Sequence, residues 1–368
     1  MKLKLSCTLA VITLLAMITA PAFAAAGAVY SLSNTSTDNQ VLVFNRTPDG
    51  ALSPAVAFST GGTGTGKGLG NQGALAIDAA NRFLFAVNAG SDSISVFRIG
   101  ENDLSLVSVV PSGGRQPISL TVCHNMLYVL NNGAAVGASD SIAGFAVGRN
   151  GRLRLIVSGL PLSAPSVGPA QISFNTDGDV LLVAEKATNN IDLFRIDDDG
   201  IAHGPFVVAS QGQTPFGFAF GKRNQVFVSD AFGGAAGAGA LSSYRVSDRT
   251  LTTLTALAPD NQSAPCWVVL TTDGRFAYTT NTASGNVSGY AVGFGGGLQL
   301  LNANGLAADT GAGSKPLDAA ISNDNRYLYV LTPGTGNLQG FTIALDGSLA
   351  PLTQSPGIPA SASGLIAR

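Results

Sequence analysis

Lys315-Pro316-Leu317-Asp318-Ala319-Ala320-Ile321-Ser322, Asn323-Asp324-Asn325-Arg326, Tyr327-Leu328-Tyr329-Val330-Leu331-Thr332, a Gly-rich loop over 333–338, Gln339-Gly340-Phe341-Thr342-Ile343 and Ala344-Leu345-Asp346-Gly347-Ser348-Leu349 read as four short strands and their turns. Each run is short and rich in β-branched, aromatic or alternating apolar residues, and the gaps hold Asn, Asp or Gly, which turn a chain tightly. One such unit is a four-stranded antiparallel sheet. Alone it leaves an apolar face in water, so the unit must repeat or find a partner.

It repeats. Phe44, Phe97, Phe145, Phe194, Tyr244, Tyr290 and Phe341 occupy the same place in seven successive units, 46 to 53 residues apart. From Phe97 onward each is followed two residues later by Ile or Val (Ile99, Val147, Ile196, Val246, Val292, Ile343). Seven four-stranded units at this spacing predict an all-β fold, a seven-bladed β-propeller with blades packed around a channel. Unit 1 begins abruptly at Ala28-Val29-Tyr30-Ser31-Leu32 without a proline-led strand, and the chain ends on an unattached apolar run, Ser363-Gly364-Leu365-Ile366-Ala367. Pairing these two segments closes the ring and removes free sheet edges.

Composition agrees with a Gly-rich β protein: 46 Gly, 11% charged and 45% hydrophobic residues, net charge −2. Nothing basic points to nucleic acid. Residues 1–24 form a separate segment: Lys2 and Lys4, an apolar run from Leu9 to Ile18, and Ala22-Phe23-Ala24 as a small-residue cleavage site. That pattern predicts a secretory signal peptide, an apolar run too short for a membrane span, and a single propeller domain over 25–368 that is periplasmic or secreted. Of the cysteines left, Cys123 and Cys266 fall in different units and are expected as buried, unbridged thiols.

Between Phe58 and Asn71 lies a segment with six glycines. Gly61, Gly66 and Lys67 match the spacing of a phosphate-binding loop, but Gly68 stands where Ser or Thr should be and a strand follows where a helix should. A flexible loop is expected instead. Two second-to-third-strand loops are enlarged, fourteen residues from Asn131 to Phe145 and from Asp230 to Tyr244 against nine in four other units, and both are Gly/Ala-rich. A lid or rim over the channel is a use that fits them.

In a propeller the second-to-third loop and the loop entering the first strand share one face, so candidate chemistry collects there. At the second-strand ends stand Asn88, Asn131, Glu185, Asp230, Asn281 and Thr332; two residues beyond the opening prolines stand Ser119, Gln171, Gly217, Trp267 and Asp318. Arg115, Lys186 and Lys315 add cations. Glu185 is the candidate general base toward a water, and Arg115, Lys186 or Lys315 would stabilise an oxyanion or substrate carboxylate. Gln171, Asp230, Trp267, Asp318, Lys315, Asn88 and Asn281 are candidate substrate contacts. The asparagines equally fit a plain structural use, bonding their own loop backbone, and Trp267 fits either core filler or a stacking wall. No cofactor is expected, although Asp230 and Asp318 offer oxygen ligands for a divalent cation. His124 and His203 fall away from the channel mouth, so neither a His-based triad nor a His-ligated metal is expected.

The repeated turn and second strand, Asn81-Arg82-Phe83-Leu84-Phe85-Ala86-Val87-Asn88 and Asp273-Gly274-Arg275-Phe276-Ala277-Tyr278-Thr279-Thr280-Asn281, resemble the seven-bladed lactonase family, which includes 6-phosphogluconolactonase-like and carboxymuconate-lactonising enzymes. The resemblance spans essentially the whole chain after the signal. It implies His, Arg and Glu residues around the channel mouth; here Gln171 and Asp318 hold positions where family enzymes often carry His, and Glu185 is the counterpart of a glutamate near a second-strand end. Together with the signal-like segment 1–24, it leads to the expectation of an exported lactonase-like propeller, a monomer, that binds and hydrolyses a small lactone or ester at the channel mouth. The alternative is a non-catalytic periplasmic or surface propeller that binds a protein, glycan or other envelope partner.

Overall fold

The computed structural model describes residues 26–101 and 103–368; the expected signal peptide lies outside them. Seven antiparallel sheets form the chain, and their innermost strands touch in a closed ring: Leu75–Ile77, Pro117–Cys123, Pro169–Phe174, Pro215–Phe220, Pro265–Leu270, Ala319–Ile321 and Ser363–Ala367. The fold is a seven-bladed β-propeller. Blade 1 is the composite: Ser363–Ala367 pairs antiparallel with Gly27–Leu32, with Val29 opposite Ala367 and Tyr30 opposite Ile366. Four inner strands open on proline, which costs nothing here because the innermost strand is an edge and its first N–H is not needed by the ladder.

The second strand of every blade is buried, as in Phe83–Asn88, Val180–Glu185, Gln225–Asp230, Phe276–Asn281 and Tyr327–Thr332. That is why these runs are apolar on both faces rather than alternating. Blades are locked pairwise by a repeated device. The hydroxyls of Tyr128, Tyr278 and Tyr329 donate to the carbonyls of Gly200, Gly347 and Gly50 in the next blade, at 2.7, 2.8 and 2.8 Å. Gly50 sits at φ +88°, and a Cβ there would fall 2.4 Å from the Tyr327 ring, so only glycine lets the turn close on the aromatic. The arginine that precedes each opening aromatic stacks on it: Arg82 on Phe83, Arg275 on Phe276 and Arg326 on Tyr327, 5.0 to 5.4 Å from the ring centre. The turn arginines thus serve the blade and not a ligand.

Cys266 is buried and Cys123 half-buried beside His124; they lie in blades 6 and 3 and are not bridged. Among the described residues no helix is long and apolar enough to cross a membrane.

A plugged channel and its candidate site

The glycine-rich segment leading from blade 1 into blade 2 closes the channel. It is pinned along its length, first by Asn34, whose side chain receives the Thr65 N–H at 3.0 Å and donates to the Lys67 carbonyl. Its last residues then cross the channel. Gln72 N–H donates to Ala170 O of blade 4 at 3.0 Å. The Gln72 amide pairs with the backbone of Val268 in blade 6, donating to its carbonyl at 2.8 Å and accepting its N–H at 3.1 Å. Asn71 is fully buried, accepts from Ser363 Oγ at 2.8 Å through its side chain and from Trp267 Nε1 through its carbonyl. Glycines on both sides allow this path: Gly70 and Gly73 have φ +60° and +83°. The segment expected as a flexible loop is therefore a structural plug bonded to blades 4, 6 and 1.

The enlarged loops are built on short ordered turns, the 3-10 turns Gly133–Val136 and Phe232–Gly234, and are tied to neighbouring crossovers: Asp140 accepts from Ala134 and Val167, and Gly237 N–H donates to Ser263.

Lys186 lies over the plug. Its Nζ donates to Gly70 O at 2.5 Å and Pro169 O at 3.1 Å, and sits 4.7 Å from the centre of the Phe216 ring. Phe216 in turn packs on Trp267, ring centres 5.1 Å apart. Burial pulls the ammonium down to about 8, and among the described residues no carboxylate pairs with it. A half-buried cation without a counter-ion pays desolvation without Coulombic return. It is the feature of this mouth most ready for an anionic or developing negative charge.

The other expected residues are placed differently. Arg115 points to solvent and pairs with Asp92 at 2.5 Å. Lys315 is exposed, at φ +49° in the crossover before Pro316. Gln171 bridges the inner strands of blades 4 and 5, its amide donating to Phe218 O at 2.9 Å and accepting Phe218 N–H at 2.6 Å, so both its polar ends are used. Asp318 is sealed behind the plug, accepts Gly364 N–H at 2.7 Å and is pushed up to about 8 by burial, which the Gly364 and Gly73 N–H groups only partly offset. Trp267 is only 4% exposed and props the plug rather than forming an open stacking wall.

Glu185, Asp230, Asn88 and Asn281 do not face the mouth. All four are fully buried, and their partners come from the third strand, from the loop leading to it, from the crossover that enters the blade or, for Asn88, also from blade 1. Asn88 donates to Ser93 and Ser95 at 3.1 and 2.8 Å and accepts from Asn39 at 2.9 Å. Asn281 donates to Asn286 and Ser288, both at 2.8 Å. Asp230 accepts from Ser210 at 3.1 Å and is raised to about 7 by burial. Glu185 receives the Ser163 N–H at 3.1 Å and the hydroxyls of Ser163 and Thr188. Beside it Asp192, which shares the Ser163 N–H at 2.9 Å, is raised to about 8 by burial first and by Glu185 second. Asp192 therefore keeps its proton at neutral pH beside Glu185. As a base toward a channel water Glu185 is thus misplaced: it touches no open volume, and its hydrogen bonds are internal.

The expected set therefore resolves into one residue at the mouth, Lys186, with Phe216, Trp267 and the plug around it, and a ring of buried polar clusters that hold crossovers down. Asp230 and Asp318 belong to blades 5 and 7, with blade 6 between them, so they cannot share a cation. No cluster of three or more metal-ligating side chains occurs among the described residues. The sequence reading missed Asn71, Gln72 and Phe216; two polar residues flanked by Gly70 and Gly73 were the available signal. It also missed Asp192, whose signal was a polar residue seven positions beyond the strand end, as in Asn88/Ser95 and Asn281/Ser288.

Comparison with known proteins adds the family. The model of the lactonase family, described as a 7-bladed beta-propeller, matches residues 28–131, 118–220 and 234–361. No curated protein matches the chain. Among solved structures, a Bacteroides fragilis protein provisionally named a 6-phosphogluconolactonase superposes with TM-score 0.69 at 18% identity, covering 95% of this chain and 100% of its own. A Pseudomonas aeruginosa protein described as a periplasmic gluconolactonase gives TM-score 0.68 at 19% identity, covering 92% and 99%. At such identities the likeness is one of fold. The family match spans most of the chain, and the protein belongs to the seven-bladed β-propeller lactonase family.

Proposed function

We propose that this protein is a lactone or ester hydrolase that is exported to the periplasm or beyond, with Lys186 as the charged group of its site. The observation that carries the reading is the unpaired, half-buried Lys186 ammonium at the plugged mouth, set between backbone carbonyls and the Phe216 face. Opening of a lactone places negative charge on the carbonyl oxygen, and a preorganised cation in a poorly solvated site stabilises that charge more than water does. Phe216 and the Gly70–Gly73 backbone offer a flat apolar side and a polar side against which a small ring can lie.

On this reading the ammonium, and not the neutral amine, is the working form, and the sealed Glu185–Asp192 pair positions the loop that carries Lys186. Family membership supports the reaction class, and the pattern of residues 1–24 supports export. The test is hydrolysis of aliphatic, aromatic and sugar lactones by the purified protein lacking residues 1–24, beside Lys186→Met. The competing reading, a propeller that binds an envelope component without turnover, gains if no lactone is opened faster by the native protein than by that variant.

A further inference from the structure

The blades differ at one repeated position. Two residues beyond the third strand, at the tip of the turn into the fourth, blades 2 to 5 carry Glu101, Arg149, Asp198 and Asp248. Blades 6, 7 and 1 carry Phe294, Leu345 and Pro48 there. Pro48 is an ordinary turn former and only extends the uncharged arc; Phe294 and Leu345 are not. They are 79% and 88% exposed, and no other large apolar side chain among the described residues exceeds 50%. These turns lie at the opposite ends of the strands from Lys186, so three neighbouring tips share the far face.

The tips are fixed where they stand. The Phe294 carbonyl accepts from Gln225 Nε2 at 3.1 Å and Arg223 Nη1 at 3.3 Å, the Leu345 carbonyl from Arg275 Nη2 at 2.9 Å and the Pro48 carbonyl from the Tyr327 hydroxyl at 2.8 Å. Every donor belongs to the preceding blade, and each side chain is left on the water side. Beside them stand two exposed cations of the blade 5 turn, Lys222 and Arg223. Arg223 lies on the Phe294 ring, 3.5 Å from its centre, and neither cation is in an ion pair among the described residues. The carboxylates nearby, Asp49, Asp273, Asp324 and Asp346, accept from hydroxyls of their own turns: Thr47, Thr271, Ser322 and Ser348.

We propose that this face rests on a phospholipid bilayer, with Phe294 and Leu345 in the interfacial layer and Lys222 and Arg223 against lipid phosphates. The form of the patch decides between a bilayer and a protein partner. Apolar tips that stand on separate turns need a matching pocket each in a protein. A bilayer interface accepts them without fixed geometry, takes aromatic rings at headgroup depth and sets guanidinium groups against phosphate. Two apolar side chains give weak, reversible attachment. The inference is independent of the lactone reading, because the mouth with Lys186 stays turned to water.

The test is co-sedimentation of the protein lacking residues 1–24 with vesicles of equimolar phosphatidylethanolamine and phosphatidylglycerol. The expected result is saturable binding that Phe294→Asp and Leu345→Asp each weaken by roughly tenfold, the equivalent of one apolar side chain lost from the interface. Both variants should melt like the native protein, since the positions are exposed. Phe294→Trp adds a reporter whose emission should shift to the blue on vesicles, while Trp267, buried at the other face, stays unmoved in the native protein. No binding, no shift of the added tryptophan, or binding that both aspartate variants retain in full would overturn the inference. So would a dimer of the native protein that Leu345→Asp dissociates while vesicles bind neither.

Discussion

The Lys186 ammonium reaches across 116 residues of sequence to the carbonyl oxygen of Gly70, 2.5 Å away. This contact joins blade 4 to the plug and leaves the cation without a carboxylate partner. Replacing Lys186 by Met keeps the stem and removes the charge. Stability should change by no more than about 1 kcal/mol, since a cation that meets only carbonyls and a ring has paid for its desolvation. Lactone turnover should fall by roughly two orders of magnitude, the usual scale for losing one oxyanion-stabilising group. A melt and a rate on the same preparation separate the two effects.

Because burial holds Lys186 near 8, the rate should depend on pH in a defined direction. If the ammonium is the working form, kcat/KM corrected for spontaneous hydrolysis stays level to about pH 7 and declines through pH 8. A rise through that range would make the neutral amine the active species.

Stability should run against the usual trend with pH. Asp192, Asp230 and Asp318 have folded-state values of about 8, 7 and 8, above their ordinary 3.8. Each holds its proton more tightly when folded, so between pH 4 and about 7 to 8 unfolding releases protons and stability falls as pH rises. Lys186 opposes this only above pH 8, where its lowered value begins to act. The melting temperature should be higher at pH 5 than at pH 8. Asp230→Asn, which imitates the protonated form, should flatten the slope. A melting temperature that climbs from pH 5 to pH 8 would contradict the buried-acid account.

The ring closure makes a sharper structural prediction. Gly50→Ala must place a Cβ 2.4 Å from the Tyr327 ring at a left-handed φ, which should cost roughly 2–3 kcal/mol. Tyr329→Phe, which removes only the hydroxyl bond to Gly50, should cost about 1 kcal/mol. Denaturant melts of the two variants would reverse this order only if the turn were free to move away from the ring.

The fold was legible in the sequence because its signals are local. An aromatic returning about every fifty residues, turns of Asn, Asp and Gly, and a terminal apolar strand without a neighbour each speak within a few residues. The site was less so, for two physical reasons. A polar residue at a second-strand end reads the same whether it faces water or a hidden partner, and Glu185, Asp230, Asn88 and Asn281 all face hidden partners. The plug depends on contacts between distant parts of the chain, Gln72 with Val268 being 196 residues apart, and no local pattern announces them. Lys186 was found because few charges exist in this chain and one follows directly on a strand end.

Trp267, the only tryptophan, gives a direct view of the mouth, since its Nε1 bonds the plug and its ring packs on Phe216 beneath Lys186. The most direct test of the central claim joins that probe to the lactone panel. Lactones are mixed with the protein lacking residues 1–24 and with Lys186→Met while hydrolysis and tryptophan emission are recorded together. The account predicts at least one lactone that the native protein opens, with a saturable emission change, and that Lys186→Met opens about a hundredfold more slowly. Equal turnover by the two proteins, or none by either with emission unmoved, would contradict it.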